Sequence, residues 1–377
     1  MKLSKFPYDA RIKKVRNYLD YNNIDAMIIT KPENSYYFTL FQAIIYSRPI
    51  IAIISKVGDA ILLVPYLDLD HAKEKSPVTN IIGYRSDEEI NESIRNAIKN
   101  YKIIGTDSDS LSFYNKITEL SHNLKIVDVT DFINDIRSVK DYSEIERIKI
   151  ASEVTDYGMK EVIEGIKERD TEINIASRAE FSMKMKLSEI LGVDGLYPWM
   201  NFTVSAVISG KRSYYPHGLV SGKKINEGES VIVTLDIAVE GYRAENERTF
   251  LVGRVSEDME QAFNYMEKAQ QMAFKSIKEG VSASDIDRSV MDFFRSNDLI
   301  KYVNHRTGHG IGLEIHEFPS IAEGNNTIIK SNMTLAIEPG LYIKNIGGFR
   351  HSDTVLVKGK DIEILTKTSK GIEKLKI

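Results

Sequence analysis

The sequence predicts an α+β protein in two domains, a smaller α/β domain over residues 1–137 and a larger mixed domain over 138–377. Three observations carry that expectation. A chain of 377 residues is long for one core and comfortable for two. Its first third alternates short apolar runs with stretches of helical spacing. Beyond that, helical patterns and strand patterns come in separate blocks, which is the arrangement that gives α+β.

In the first domain, Ala26-Met27-Ile28-Ile29-Thr30, Ile50-Ile51-Ala52-Ile53-Ile54 and Ala60-Ile61-Leu62-Leu63-Val64 are continuous apolar runs of strand length, suited to burial on both faces. Residues 8–19 and 88–99 have helical spacing. Lys102-Ile103-Ile104-Gly105-Thr106-Asp107 reads as another strand ending in a turn, and its lone glycine is no phosphate loop. The polar residues of this domain form no catalytic cluster.

The boundary is expected near residues 136–141. A long amphipathic helix follows, with Ser143 and Glu146 spaced as a capping box and Ile145, Ile148, Ala151 and Val154 along one side. A second helix covers 172–191, and strands are expected over 201–208, 230–239 and 242–255. Two further helices follow, one with Ala262, Met266, Ala269, Ala273 and Ile277 on one face and ending at Gly280, the next with Ile286, Val290 and Phe294. The last strands fall over 333–343 and 348–357. A short echo, Ile166-Lys167-Glu168 and Ile277-Lys278-Glu279, each followed by a helix, fits a domain of two related halves.

Composition narrows the chemistry. The net charge of -4 comes without a face-sized Lys/Arg block, which argues against nucleic acid and leaves a small peptide or small molecule as substrate. Without cysteine there is no disulfide and no thiol nucleophile, so any metal must be held by His and carboxylates. No run approaches the ~20 apolar residues of a membrane span, so a soluble cytoplasmic protein is expected.

The chemistry concentrates in the second half. His305-Arg306-Thr307-Gly308-His309-Gly310-Ile311-Gly312-Leu313-Glu314-Ile315-His316-Glu317 sets two histidines among glycines that permit close backbone approach. Asp236 ends the apolar run Val231-Ile232-Val233-Thr234-Leu235, where a buried carboxylate needs a partner. Strand period places Glu245, Glu247 and Thr249 on one face; the plainer alternative is a solvated face with Arg243 and Arg248 as ion-pair partners. Glu338 interrupts the apolar strand Thr334-Leu335-Ala336-Ile337 before Pro339-Gly340. His217 lies in a turn after Ser209-Gly210-Lys211-Arg212, and Gly348-Phe349-Arg350-His351-Ser352-Asp353 brings a polar cluster to the start of the last long strand.

The stretch from His305 to Pro319 resembles the signature of the Xaa-Pro dipeptidase (prolidase), aminopeptidase P, methionine aminopeptidase and creatinase superfamily. The segments around His217, Asp236, Glu338 and Arg350 follow in that superfamily's order. The resemblance covers essentially the whole chain and implies a C-terminal pita-bread catalytic domain, a smaller N-terminal α/β creatinase-like domain and a homodimer. It implies a divalent metal, Mn, Co or Zn, with Asp236, His309 and Glu338 matching ligand positions. His217 and His316 match histidines that contact substrate, and Arg350 joins them as a substrate-binding candidate.

Two ligand positions depart from the pattern. Where the peptidases carry Asp-x-Thr-Arg-Thr, this chain has Glu245-Asn246-Glu247-Arg248-Thr249. Alignment on Arg-Thr puts Glu245 at the ligand position, whereas distance from Asp236 puts Glu247 there. Where they carry a bridging glutamate, this chain has Ser352, whose neutral hydroxyl cannot supply the negative charge that hard cations favour. The resemblance therefore implies an Xaa-Pro dipeptidase-like metallopeptidase with an impaired, mononuclear site: Asp236, Glu245, His309 and Glu338 as ligands, and His217, His316, Glu338 and Glu247 as catalytic candidates. Two alternatives stand beside it. Glu247-Arg248-Thr249 resembles creatinase, which hydrolyses without metal, and the same scaffold could serve as a non-catalytic binding protein.

Overall fold

The computed structural model describes residues 3–43, 47–121, 124–192 and 203–377. The chain forms two compact units, Lys5–Ile136 and Arg137–Ile377. Ser4 belongs with the second, where its backbone N–H and hydroxyl donate to Glu146 at 2.9 and 2.5 Å.

The first unit runs α1 (Tyr8–Tyr21), β1 (Ala26–Ile29), α2 (Pro32–Thr39), β2 (Ile51–Ser55), β3 (Ile61–Pro65), α3 (Leu69–Lys75), β4 (Asn80–Tyr84), α4 (Asp87–Ile98), β5 (Ile103–Thr106), α5 (Leu111–Leu120) and β6 (Lys125–Asp128). Its sheet has the order β4-β3-β2-β1-β5-β6, antiparallel in the β1–β2–β3 meander and parallel elsewhere. The apolar runs fall in the middle of the sheet, and β1 is buried throughout. Asp107, after β5, accepts hydrogen bonds from the Thr30 and Lys31 backbone and from Asn34 at 2.7 to 3.2 Å. That carboxylate ties two strand ends together, a structural task.

Helix α6 (Thr130–Ser138) leads to the second unit, which runs α7 (Tyr142–Lys167), α8 (Glu172–Leu191), β7 (Val204–Ser209), β8 (Ser230–Val239), β9 (Tyr242–Leu251), α9 (Glu257–Ser276) and α10 (Ala283–Ser296). It continues through β10 (Gly308–Gly310), β11 (Glu317–Ile321), β12 (Thr334–Ile337), β13 (Gly340–Ile343), β14 (Gly347–Arg350), β15 (Ser352–Lys358), β16 (Asp361–Ile364) and α11 (Ile372–Leu375). The expected strand over 201–208 is described from Val204 onward, its first residues lying outside the described set. The capping box of α7 sits two residues earlier than expected. The Asp141 carboxylate accepts the Glu144 N–H at 3.0 Å and the Glu144 carboxylate accepts the Asp141 N–H at 2.7 Å, because Asp141 is itself a strong N-cap.

The main sheet has the order β11-β10-β12-β15-β9-β8-β7, with β16 on β15. Helices α7 to α10 bury their apolar faces in one core with Val233, Leu235, Ile237 and Leu335. The two long strands expected near the C-terminus each break. The chain leaves the main sheet after Ile337, forms the separate β13–β14 ribbon and re-enters at Ser352, so Glu338 and Ser352 stand at the exit and re-entry points.

The repeated Ile-Lys-Glu has a structural counterpart. Glu172 and Ile173, opening α8, donate backbone N–H groups to Lys223 and Ser221; Ala283 and Ser284, opening α10, do the same to Thr327 and Asn325. Ile225 returns a bond to Asp170, as Ile329 does to Val281. The same helix-entry motif therefore occurs once in each half of the domain.

Candidate active site

The site begins with the β8–β9 hairpin. Val239 pairs with Tyr242 across a two-residue turn, Glu240 and Gly241, both at positive φ of 45° and 87°. That turn fixes the register: Ala238 faces Arg243, Asp236 faces Glu245 and Thr234 faces Glu247. A period of two then gathers Thr234, Asp236, Arg243, Glu245 and Glu247 on one face. Both glutamates point into one site, and Glu245 is the direct cross-strand partner of Asp236.

Neighbouring strands complete the cluster. β15 sets Ser352 opposite Glu247, and its hydroxyl donates to Glu245 Oε1 at 2.6 Å. β10 contributes His309 and the end of β12 contributes Glu338, with His309 Nε2 3.4 Å from Glu338 Oε1. Arg350, closing β14, donates to Glu247 Oε1 at 2.6 Å and to the Tyr342 hydroxyl at 3.0 Å; Thr234 donates to the same Glu247 oxygen at 2.5 Å. Asp236 is held by both arms of the Arg243 guanidinium, Nε at 3.2 Å from Oδ2 and Nη2 on Oδ1.

The strand carrying Glu245 and Glu247 is buried at every residue, which excludes the solvated-face alternative. Neither arginine pairs as that alternative expects. Arg243 takes Asp236, and Arg248 points to the opposite face, donating to Asp353 at 2.8 Å. His351 and Asp353 likewise alternate away from the site, leaving Ser352 alone of the three facing it.

Burial and crowding of like charges set the protonation states. Burial, then Glu247 and Glu338, push Glu245 up to about 8. Burial opposes ionisation of Glu338 too, but His309 and Arg350 outweigh it and hold that carboxyl at about 2. Burial also pushes Asp236 upward, with Arg243 pulling the other way. The His309 imidazolium is disfavoured by burial and favoured more strongly by Glu338 and Glu245, so its pKa rises.

His316 stands at the mouth, exposed, its ring 4.0 Å from that of His309 between centroids. Desolvation, then the charges of His309, Arg306 and His217, lower it to about 4, so it is neutral near pH 7. His217 is exposed on the loop after β7 and lies outside the two groups of close ligand atoms. Sequence reasoning missed what holds that loop: Glu172 accepts the Ser209 N–H at 2.8 Å and the Ser221 N–H at 3.0 Å, and pairs with Arg212. It also missed Tyr342 and His305, 2.8 Å apart behind Arg350. Tyr342 lies two residues from Gly340 along β13, a signal that strand period could have supplied.

The comparisons with known proteins bear on this geometry. Residues 146–359 match the model of metallopeptidase family M24, and residues 11–139 match the creatinase/prolidase N-terminal domain. The chain belongs to metallopeptidase family M24. Among its M24 relatives, the Xaa-Pro dipeptidase of Pyrococcus furiosus is 32% identical over 363 residues, 96% of this chain and 99% of that protein. The prolidase of Pyrococcus horikoshii superposes with a TM-score of 0.86 at 30% identity, covering 96% of this chain and 99% of that one. The prolidase of Pyrococcus furiosus gives 0.82 at 31%, covering 94% and 99%. The two-domain creatinase-like architecture with a C-terminal pita-bread domain follows.

The family is one of metallopeptidases, so the residues have to be tested against a cation. His309 Nδ1 donates to the Gly310 carbonyl at 3.0 Å, so Nε2 is the ring nitrogen that can offer a lone pair to a cation once the imidazolium has lost its second proton. Nε2 is buried and, among the described residues, in no well-formed hydrogen bond, with Glu338 Oε1 at 3.4 Å. Its ring and those around it give two sets of ligand atoms within 4.8 Å of one another, His309-His316-Glu338 and Glu245-Glu247-Glu338, sharing Glu338. These nitrogen and carboxylate donors suit a divalent cation.

Proposed function

We propose that this M24 protein hydrolyses short peptides at an Xaa-Pro bond with one divalent cation, held by His309, Glu338 and Glu245. The observation that carries the reading is the buried Nε2 of His309, the ring nitrogen left open by the bond of Nδ1 to Gly310, facing Glu338, on which both groups of close ligand atoms converge. A bound cation would supply Lewis acidity, making water more acidic and a peptide carbonyl more electrophilic. Glu338, 13% exposed, is the most accessible of the four carboxylates and acts as the proton acceptor for water. His316, neutral at the mouth, offers a hydrogen bond to the charge developing on the carbonyl oxygen. Glu247 keeps its orientation through Arg350 and Thr234, and Arg350 supports the site from beneath. His217 lines the entrance on the Glu172-anchored loop.

A homodimer belongs to the same proposal, checked by light scattering. No described helix is long and apolar enough to cross a membrane. The decisive experiment is elemental analysis of purified protein followed by hydrolysis of an Xaa-Pro dipeptide with and without manganese, cobalt or zinc. One ion per chain and metal-dependent cleavage are expected. Absence of both would overturn the reading. The pairing of Asp236 with Arg243 and of Glu247 with Arg350 favours a second reading, a creatinase-like hydrolase without metal. Chelator-resistant turnover of a small amide, lost in His217→Ala, would establish it.

A further inference from the structure

Three buried carboxylates, Asp236, Glu245 and Glu247, and the partly exposed Glu338 converge in one site together with two guanidiniums. The pairing is uneven. Glu247 is taken up by Arg350 and Thr234. Asp236 has both oxygens on Arg243, whose own backbone N–H donates to the Gly312 carbonyl at 2.8 Å, so the β9 end bearing it is anchored to the histidine loop. Among the described residues the Glu245 carboxylate is met by the Ser352 hydroxyl, a neutral donor, and Glu338 has long contacts to His309 at 3.4 Å and Arg350 at 3.9 Å. A guanidinium thus sits in direct hydrogen-bond contact at the Asp236 end, while the cationic groups at the Glu338 end, His309 and Arg350, stand off at 3.4 and 3.9 Å.

From this geometry we infer that Arg243 is a built-in cation: its guanidinium occupies the place beside Asp236 where a second ion would sit, and it confines the site to one ion at Glu338. The inference rests on the one-ion reading above. Arg243 and Ser352 act as a pair. A carboxylate at position 352 would add a ligand beside Glu245, yet Asp236 would stay bound to the guanidinium and the second position would remain closed. Restoring the carboxylate alone therefore changes the charge without changing the count, and only removal of both features opens the second position. The neutral serine suits this arrangement, since a glutamate there would add a further negative charge beside Glu245, Glu247 and Glu338, whose carboxylate oxygens already lie within 4.8 Å of one another.

The test is manganese stoichiometry, read by isothermal titration calorimetry and elemental analysis on full-length protein. One ion is expected for the wild type, one for Ser352→Glu, and two for the double variant Arg243→Met, Ser352→Glu. A second ion in Ser352→Glu alone overturns the inference, as does a double variant with wild-type circular dichroism that still takes one. Should the double variant not fold, wild-type crystals soaked in manganese decide the matter. A single anomalous peak between His309 and Glu338, with Arg243 still on Asp236, supports the inference; a peak at Asp236 with the guanidinium displaced overturns it. A wild type that binds no manganese overturns the one-ion reading itself, a result distinct from the others.

Discussion

His309 and His316 are neighbours in space with different chemical tasks. His309 is fully buried, with one ring nitrogen committed to the Gly310 carbonyl and the other aimed at Glu338. His316 is exposed and neutral near pH 7. Replacing a metal-binding imidazole removes a ligand outright, so His309→Ala is expected to weaken manganese binding by at least about 100-fold, measured by calorimetry. His316→Ala is expected to lower kcat/KM by roughly 100-fold, the range of a lost acid–base or hydrogen-bonding group, while manganese affinity stays near that of the wild type. A parallel loss of affinity would instead make His316 a ligand. Arg243 entered the sequence reading only in the plainer alternative, as an ion-pair partner on a solvated face; the register of a two-residue turn instead gives it to the buried Asp236.

At the scale of elements, the glycines of the histidine loop have a steric reason. β10 is inserted between β11 and β12, and a Cβ at Gly308 would overlap the Ala336 carbonyl oxygen, while one at Gly310 would overlap the carbonyl of Phe318. Those oxygens belong to backbone that cannot step aside. Gly308→Ala is expected to destabilise the protein by about 3 kcal/mol, or to prevent folding, as read from chemical denaturation. A change under about 0.5 kcal/mol would show that β10 can shift away from β12. The motif first read as a ligand loop is thus also a strand held at close range.

For the whole molecule, the anchor of that loop contributes to the loss of stability in acid. Glu317 is buried against Arg137 and Lys140, the latter at 3.1 Å. Burial opposes its ionisation, but the two cations outweigh it and lower the carboxyl from 4.5 to about 2. A folded-state pKa below the unfolded value means the stabilisation is complete above pH 4.5 and is lost as pH falls toward about 2. Denaturation followed against pH should therefore show stability falling through that window, by a smaller amount in Glu317→Gln. Equal pH dependence in the two proteins would remove Glu317 from the account.

Much of this protein was legible before any coordinates. Apolar runs and helical spacing located most strands and helices, because burial imposes periods of two and 3.6 on the sequence. Asp236, Glu338 and His309 stood out as polar groups in apolar surroundings, and the motifs around them carried the family. Three features depended on tertiary structure. The capping box moved to Asp141 because Ser143 spends its hydroxyl on Asp141. The long C-terminal strands broke at Glu338 and His351, where the chain changes sheets. Which carboxylate each arginine neutralises depended on strand register and on contacts between residues about a hundred positions apart, as for Arg350 and Glu247. Local pattern records which side chains leave water; only the folded sheet decides which charges meet.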